Sequence, residues 1–113
     1  MRIWYRVSDL DAARAFYRDV LGFTETFLDA DERWATLDRG VTEIAIGEGR
    51  DEADADAEGQ VATIDVTDVK AERERLEQAG AEVGTVLELH GTMRLLDVFD
   101  PDGNRIQLAE DLA

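Results

Sequence analysis

Apolar and polar residues alternate over residues 2–7, a stretch rich in β-formers, which predicts a strand. The period then changes. Leu10, Ala13, Phe16, Tyr17, Val20 and Leu21 fall on one face at helical spacing, predicting a helix over 10–21. Ser8 or Asp9 stands where an N-cap belongs, and Gly22 where a left-handed C-terminal glycine belongs. Strands are predicted over 23–28, 34–37 and 42–46, with turns at 29–31 and at Arg39-Gly40. The same order then returns. A strand over 61–66 precedes a helix with Val69, Leu76 and Ala79 on its apolar face, capped by Thr67 or Asp68 and stopped by Gly80. Strands near 83–87, 93–99 and 105–109 follow. Asp100-Pro101-Asp102-Gly103-Asn104 is a strong turn sequence between the last two.

The return is a duplication. Val7 matches Val66, Asp9 matches Asp68, Ala12 matches Ala71 and Arg14 matches Arg73, at one constant offset. The pattern is β-α-β-β-β twice, an α+β chain with helices packed on one side of mainly antiparallel strands. At 113 residues it is expected to form one domain, 1–113. Module one would span 1–47 and module two 60–113. The acidic stretch 48–59 between them reads as a solvated linker.

Composition narrows the function classes. Cysteine is absent, which removes disulfides, thiolate metal sites and cysteine nucleophiles. Ser8 is the only serine, and no triad forms around it. There is no long apolar run and no leader pattern, so a cytoplasmic location is expected. Against 27 acidic residues stand 12 basic ones, a net charge of −15, and Lys70 is the single lysine. Such a surface repels phosphate backbones and anionic lipid, so neither nucleic acid nor membrane is an expected partner. The acids are spread along the whole chain, which reads as adaptation to a salty, halophilic cytoplasm rather than as one acidic site.

Two motifs carry a resemblance: VSDLDAARAFYRDVLGF in the first copy and DVFDPDGNRIQL at the end of the second. Both resemble the vicinal oxygen chelate superfamily, which includes glyoxalase I, bleomycin-resistance proteins, fosfomycin-resistance enzymes and extradiol dioxygenases. The likeness implies paired βαβββ modules forming a cup-shaped mixed sheet, with helices outside and usually in a dimer. It also implies a metal site, whose ligand positions here are Arg2, Ala45, Val61 and Gln107. The first three cannot ligate a divalent ion in the usual way, and the Gln107 amide is a weak ligand. His90 is the only histidine, so a two-histidine site is impossible. His90 with Glu43 or Glu110 is the remaining metal option. No metal and no cofactor are expected.

Alternation sorts the faces. Ile3, Tyr5, Val7, Ile44, Ile46, Ala62, Ile64, Val66, Ile106 and Leu108 are expected under the helices. The opposite faces would line the cup: Arg2, Trp4, Arg6, Glu43, Ala45, Val61, Thr63, Asp65, Arg105 and Gln107, joined by Trp34 and Thr36. Arginines and indoles could clamp an anionic or planar molecule. Alternatively, Arg6 could cancel Asp65 and Arg105 cancel Glu43, making a hydrogen-bonded core. Tyr17, spaced with Ala13 and Val20, reads as core. The residues favour a metal-free small-molecule-binding protein of the bleomycin-resistance type, a homodimer with an anionic or aromatic ligand. Two alternatives stay open. One is a glyoxalase-like lyase or isomerase, or another enzyme of the superfamily, with a non-standard site. The other is a non-catalytic module whose cup is filled by its own side chains.

The charge reading predicts that the melting temperature rises from low to molar KCl as carboxylate repulsion is screened. A melting curve unchanged or falling over that range would contradict it.

Overall fold

The two helices begin in the same way. In the computed structural model, which describes residues 3–49 and 61–112, Asp9 has extended backbone and its carboxylate accepts the Ala12 N–H. Asp68 does the same for Ala71. Each carboxylate satisfies an N–H that a helix start leaves over. A second carboxylate buttresses each start from a neighbouring strand. Glu48 accepts the Leu10 N–H at 2.8 Å, and Glu110 accepts the Val69 N–H at 2.9 Å. An arginine steadies each one, Arg33 at 2.9 Å from Glu48 and Arg94 at 3.6 Å from Glu110. The Arg33 guanidinium, helped by the Leu10 N–H, holds the Glu48 carboxyl below the usual carboxylate range.

The elements are β1 (Ile3–Val7), α1 (Leu10–Ala15), a π-helical segment (Phe16–Val20), β2 (Thr24–Asp29), β3 (Trp34–Arg39) and β4 (Thr42–Glu48). Then come β5 (Ala62–Asp65), α2 (Val69–Gln78), β6 (Glu82–Val83), β7 (Leu87–Leu89), β8 (Met93–Phe99) and β9 (Arg105–Asp111). The predicted βαβββ order is present twice, with two local differences. The first helix widens to π geometry after Ala15, where the Leu21 N–H reaches back to the Phe16 carbonyl. The strand expected near 83–87 is two short pieces. Between them Gly84 leaves the ladder rhythm, its N–H on the Asp97 carbonyl and its own carbonyl taken by Arg73.

The strands divide between two open sheets, ordered β1-β4-β3-β2 and β5-β9-β8-β6, with β7 also on β8. β1–β4 and β5–β9 are parallel and the other pairs antiparallel. One helix covers one face of each sheet, α1 against β4 and α2 against β8 and β9. The faces expected under the helices are there: Tyr5, Val7, Ile44, Ile46, Ile64, Ile106 and Leu108 share one core. Residues 50–60, most of the predicted linker, lie outside the described residues.

Polar contacts join the halves on the helix side, among them those of Tyr5, Tyr17 and Glu72. The Tyr5 hydroxyl donates to the Arg105 carbonyl at 2.6 Å and accepts the Ala62 N–H at 2.9 Å. The Tyr17 hydroxyl donates to Asp100 Oδ2 at 2.7 Å, with Tyr17 fully buried and Asp100 only 4% exposed. Burial, and then the Asp100 charge, push the Tyr17 hydroxyl pKa well up, so it stays a donor. Arg39 and Arg75 cap the Leu21 and Val20 carbonyls at the end of the first helix, and both bind Glu72 of α2. Burial alone would raise the Glu72 carboxyl pKa, but the two guanidiniums outweigh it and hold the group below its usual range.

Replacing Tyr17 by Phe leaves a buried carboxylate short of one donor. The expected cost is about 1–3 kcal/mol in urea unfolding; a loss below about 0.5 kcal/mol would contradict it. Glu72→Gln is expected to cost about 1 kcal/mol at neutral pH. Because the folded-state pKa is depressed, this contribution is present above the unfolded carboxyl value of about 4.3 and fades as pH falls through the folded value. The gap between wild type and variant should therefore close in acid, and a pH-independent gap would contradict the assignment.

Candidate functional site

On the outward face of the first sheet, β4 separates β1 from β3. Alternate strands lie about 10 Å apart, so side chains of β1 and β3 meet only by reaching over the strand between them. The outward positions of β4 are Glu43, Ala45 and Gly47. Ala45 stands in register between Trp4 and Thr36, and Gly47 between Arg6 and Trp34. A methyl group and a hydrogen leave the space above β4 open. The indoles of Trp4 and Trp34 fill it, with ring centroids 5.4 Å apart and planes tilted by 43°. Ala45 is 0% exposed although it faces away from the helix.

A third ring arrives through a β-bulge. The β2–β3 register runs Thr24 with Asp38 and Glu25 with Leu37, then skips to Phe27 with Thr36. Glu25 faces the helix, where it meets Arg14 at 2.5 Å. Regular alternation would send Phe27 to that same side. The extra residue, Thr26, reverses this: its hydroxyl lies 2.6 Å from the Thr36 hydroxyl, and Phe27 joins the outward face. Its ring centroid is 5.0 Å from that of Trp34. Trp4, Trp34 and Phe27 thus form one continuous aromatic platform, with Phe27 49% exposed.

The outward face of the second sheet has other chemistry. Thr63, Gln107 and Asp97 lie in register across β5, β9 and β8. Asp65, Ala109, Leu95 and Leu87 form the next row. The first row is polar, and the second is aliphatic apart from Asp65 at its β5 end. The two sets of expected cup residues therefore occupy different sheets: Trp4, Arg6, Trp34, Thr36, Glu43 and Ala45 on one, Thr63, Asp65, Arg105 and Gln107 on the other, with Val61 just before β5. Arg2 lies outside the described residues. Of the charges weighed as internal cancellations, Arg105 and Asp65 have described surroundings. Arg105 meets Asp97 at 3.7 Å, a carboxylate diagonally across on the adjacent strand, where Asp97 is in register with Gln107 and Arg105 with Phe99. Asp65, exposed at the end of its strand, makes no ion pair among the described residues.

The described metal-ligand positions do not fit a divalent ion. Ala45 is a buried methyl, Val61 is aliphatic, and the Gln107 amide is neutral. His90 sits at the exposed tip of the β7–β8 hairpin with φ 51°, next to Gly91 at 72°. Glu110 is occupied with the start of α2. Among the described residues no three of His, Cys, Asp and Glu gather where they could hold an ion.

A cleft of about 450 Å³ opens elsewhere, where the end of β1 meets the β8–β9 turn. Arg6, Ser8, Glu48, Asp102 and Asn104 line it. Its polar groups are engaged across the junction: the Ser8 N–H donates to Asp102 Oδ1 and Asn104 Nδ2 donates to the Arg6 carbonyl.

Sequence reasoning had placed Trp4, Trp34 and Ala45 on one face, yet missed Phe27. Nothing in TETFLD announces a bulge, and only the two-against-one pairing with β3 shows it.

A family model for the Glyoxalase/Bleomycin resistance protein/Dioxygenase superfamily matches residues 2–108. No curated protein sequence matches the chain. Among solved structures, it is similar to a bleomycin-binding protein from Streptomyces verticillus in complex with copper(II)-bleomycin. Identity is 26% and the TM-score 0.69, over 96% of this chain and 92% of that one. It is similar to an antibiotic-binding protein from Streptomyces sp. CB03234, with 22% identity and a TM-score of 0.76, over 98% and 95%. A lactoylglutathione lyase from Agrobacterium tumefaciens shares the fold at 22% identity and a TM-score of 0.77, over 97% and 91%.

Proposed function

Because the chain belongs to the glyoxalase/bleomycin resistance protein/dioxygenase superfamily, we propose that it is a small-molecule-binding protein that works without a resident metal. The ligand is anionic or aromatic and sits on the outward sheet faces, at or near the interface of a homodimer. One observation carries the reading. At Ala45, where the superfamily pattern calls for a carboxylate ligand, the chain has a methyl group that lets two indoles meet. The position serves a binding surface and no longer a metal. The bleomycin-binding likeness supports a binding role.

A cytoplasmic location belongs to the same proposal. Among the described residues no helix is long and apolar enough to cross a membrane. The net charge of −15 argues against nucleic acid and anionic lipid as partners.

Metal analysis of the gently purified protein, followed by thermal-shift screening of anionic and aromatic metabolites, tests the reading. The expected result is less than one transition ion per chain, a dimer in solution, and stabilisation by members of those two classes. One tightly bound transition ion per chain would overturn the metal-free assignment. Stabilisation by cations alone would overturn the ligand class. A screen with no hits would favour a face filled by the protein's own side chains.

A further inference from the structure

The platform narrows the ligand further, on the basis of the binding reading above. We propose that the ligand is recognised through a flat, fused aromatic ring system stacked on Trp4, Trp34 and Phe27, and that Phe27, delivered by the bulge, is the residue that sets this specificity.

Three observations converge. First, the ring centroids stand 5.4 Å and 5.0 Å apart in sequence, Trp4 to Trp34 to Phe27, so the rings touch one another. No gap is left between them for an ammonium group or a small anion. What they offer is an extended π surface, and an extended flat partner covers it best. Second, the groups directly between the rings are uncharged, Thr26, Thr36, Ala45 and Gly47, with the charged Arg6 on the far side of Gly47 from Trp34 and Glu43 two residues from Ala45 along β4. Stacking, rather than ion pairing, is the interaction available at the centre of the face. Third, the chain spends a bulge on Phe27. The regular strand would turn this side chain to the helix side, yet the extra residue turns it outward and leaves it 49% exposed. The ring packs on Trp34 and keeps about half of its surface open beside the indoles, and bulges that re-aim a side chain are frequent beside functional sites. With a net charge of −15, the chain also disfavours anions at long range, so the ring system rather than a negative group is the recognised feature.

Both tryptophans of the chain lie in the platform, so their fluorescence reports the site directly. Three probes separate the possibilities. Anthraquinone-2-sulfonate and 9-aminoacridine are fused tricycles of opposite charge, and cyclohexanecarboxylate is an anion without a π face. Binding to the full-length protein is followed by tryptophan quenching and, independently, by calorimetry. Both tricycles should bind, with affinities within roughly tenfold of each other, and cyclohexanecarboxylate should not. Phe27→Ala and Phe27→Leu should each weaken the tricycles roughly 2- to 12-fold, while Phe27→Tyr should restore wild-type affinity. Phe27 is half exposed, so unchanged circular dichroism and melting temperature in these variants confirm an intact fold.

Binding of cyclohexanecarboxylate without the tricycles would overturn the aromatic assignment and leave the small-molecule reading standing. Failure of all three probes would count against both. Tricycle binding undiminished in Phe27→Ala and Phe27→Leu would overturn the role of Phe27.

Discussion

The buried carboxylate of Asp100 is the point on which the two halves of the fold depend. A charge taken out of water is costly unless donors surround it. Here four converge. The Asp102 N–H and Asn104 N–H reach Oδ1, while Asn104 Nδ2 and the Tyr17 hydroxyl reach Oδ2. Three of them fold the β8–β9 turn around the acid. The fourth comes from the first helix, so satisfying this one group fixes the turn and also docks module one on module two. The same Asn104 amide holds the Arg6 carbonyl of β1. Helix, turn and edge strand become one piece through two side chains.

This docking determines which surfaces remain for function. The halves meet through Tyr5, Tyr17 and the Arg39–Glu72–Arg75 cluster, all on the helix side. The opposite faces of the sheets are not consumed by it. On the first sheet, the outward face is then shaped by a steric fact about β4. Two large rings on strands about 10 Å apart can touch only above small residues. Ala45 and Gly47 supply them. A carboxylate at Ala45 would occupy the space the indoles now share. A metal ligand and this ring contact are alternatives at one position, and the chain holds the ring contact.

The duplication, the capped helices, the DPDGN turn and nearly every strand were legible in the sequence, because each rests on a local rule. Asp9 and Asp68 cap because a short carboxylate reaches an N–H three residues on. Alternation likewise placed Tyr5, Ile44 and Ile106 in the core. Long-range geometry was not legible. The split into two sheets, the Arg105–Asp97 pair and the buttressing of the helix starts by Glu48 and Glu110 all join residues distant in sequence or related only by strand register. Tyr17 was read as core from its spacing, which is correct for its ring, but its hydroxyl partner lies 83 residues away. Phe27 was missed because one inserted residue inverts the face, and alternation arguments assume none.

Symmetry survives in this protein where folding constrains it and disappears where it does not. Asp9 matches Asp68, Glu48 matches Glu110, and Arg33 matches Arg94, all at the helix starts. Each copy needs that apparatus, since an unsatisfied helix start is costly wherever it occurs. The outward faces carry no such requirement and have diverged completely. One presents Trp4, Trp34 and Phe27 over a floor of small residues; the other presents Gln107, Asp97 and Thr63 beside Leu87 and Leu95. A chain selected only to fold could keep both faces alike or equally polar. Under the binding role proposed above, unequal faces on an equal scaffold assign specificity to the difference between the two halves, and the largest difference is the three-ring platform that a bulge and two small residues make possible.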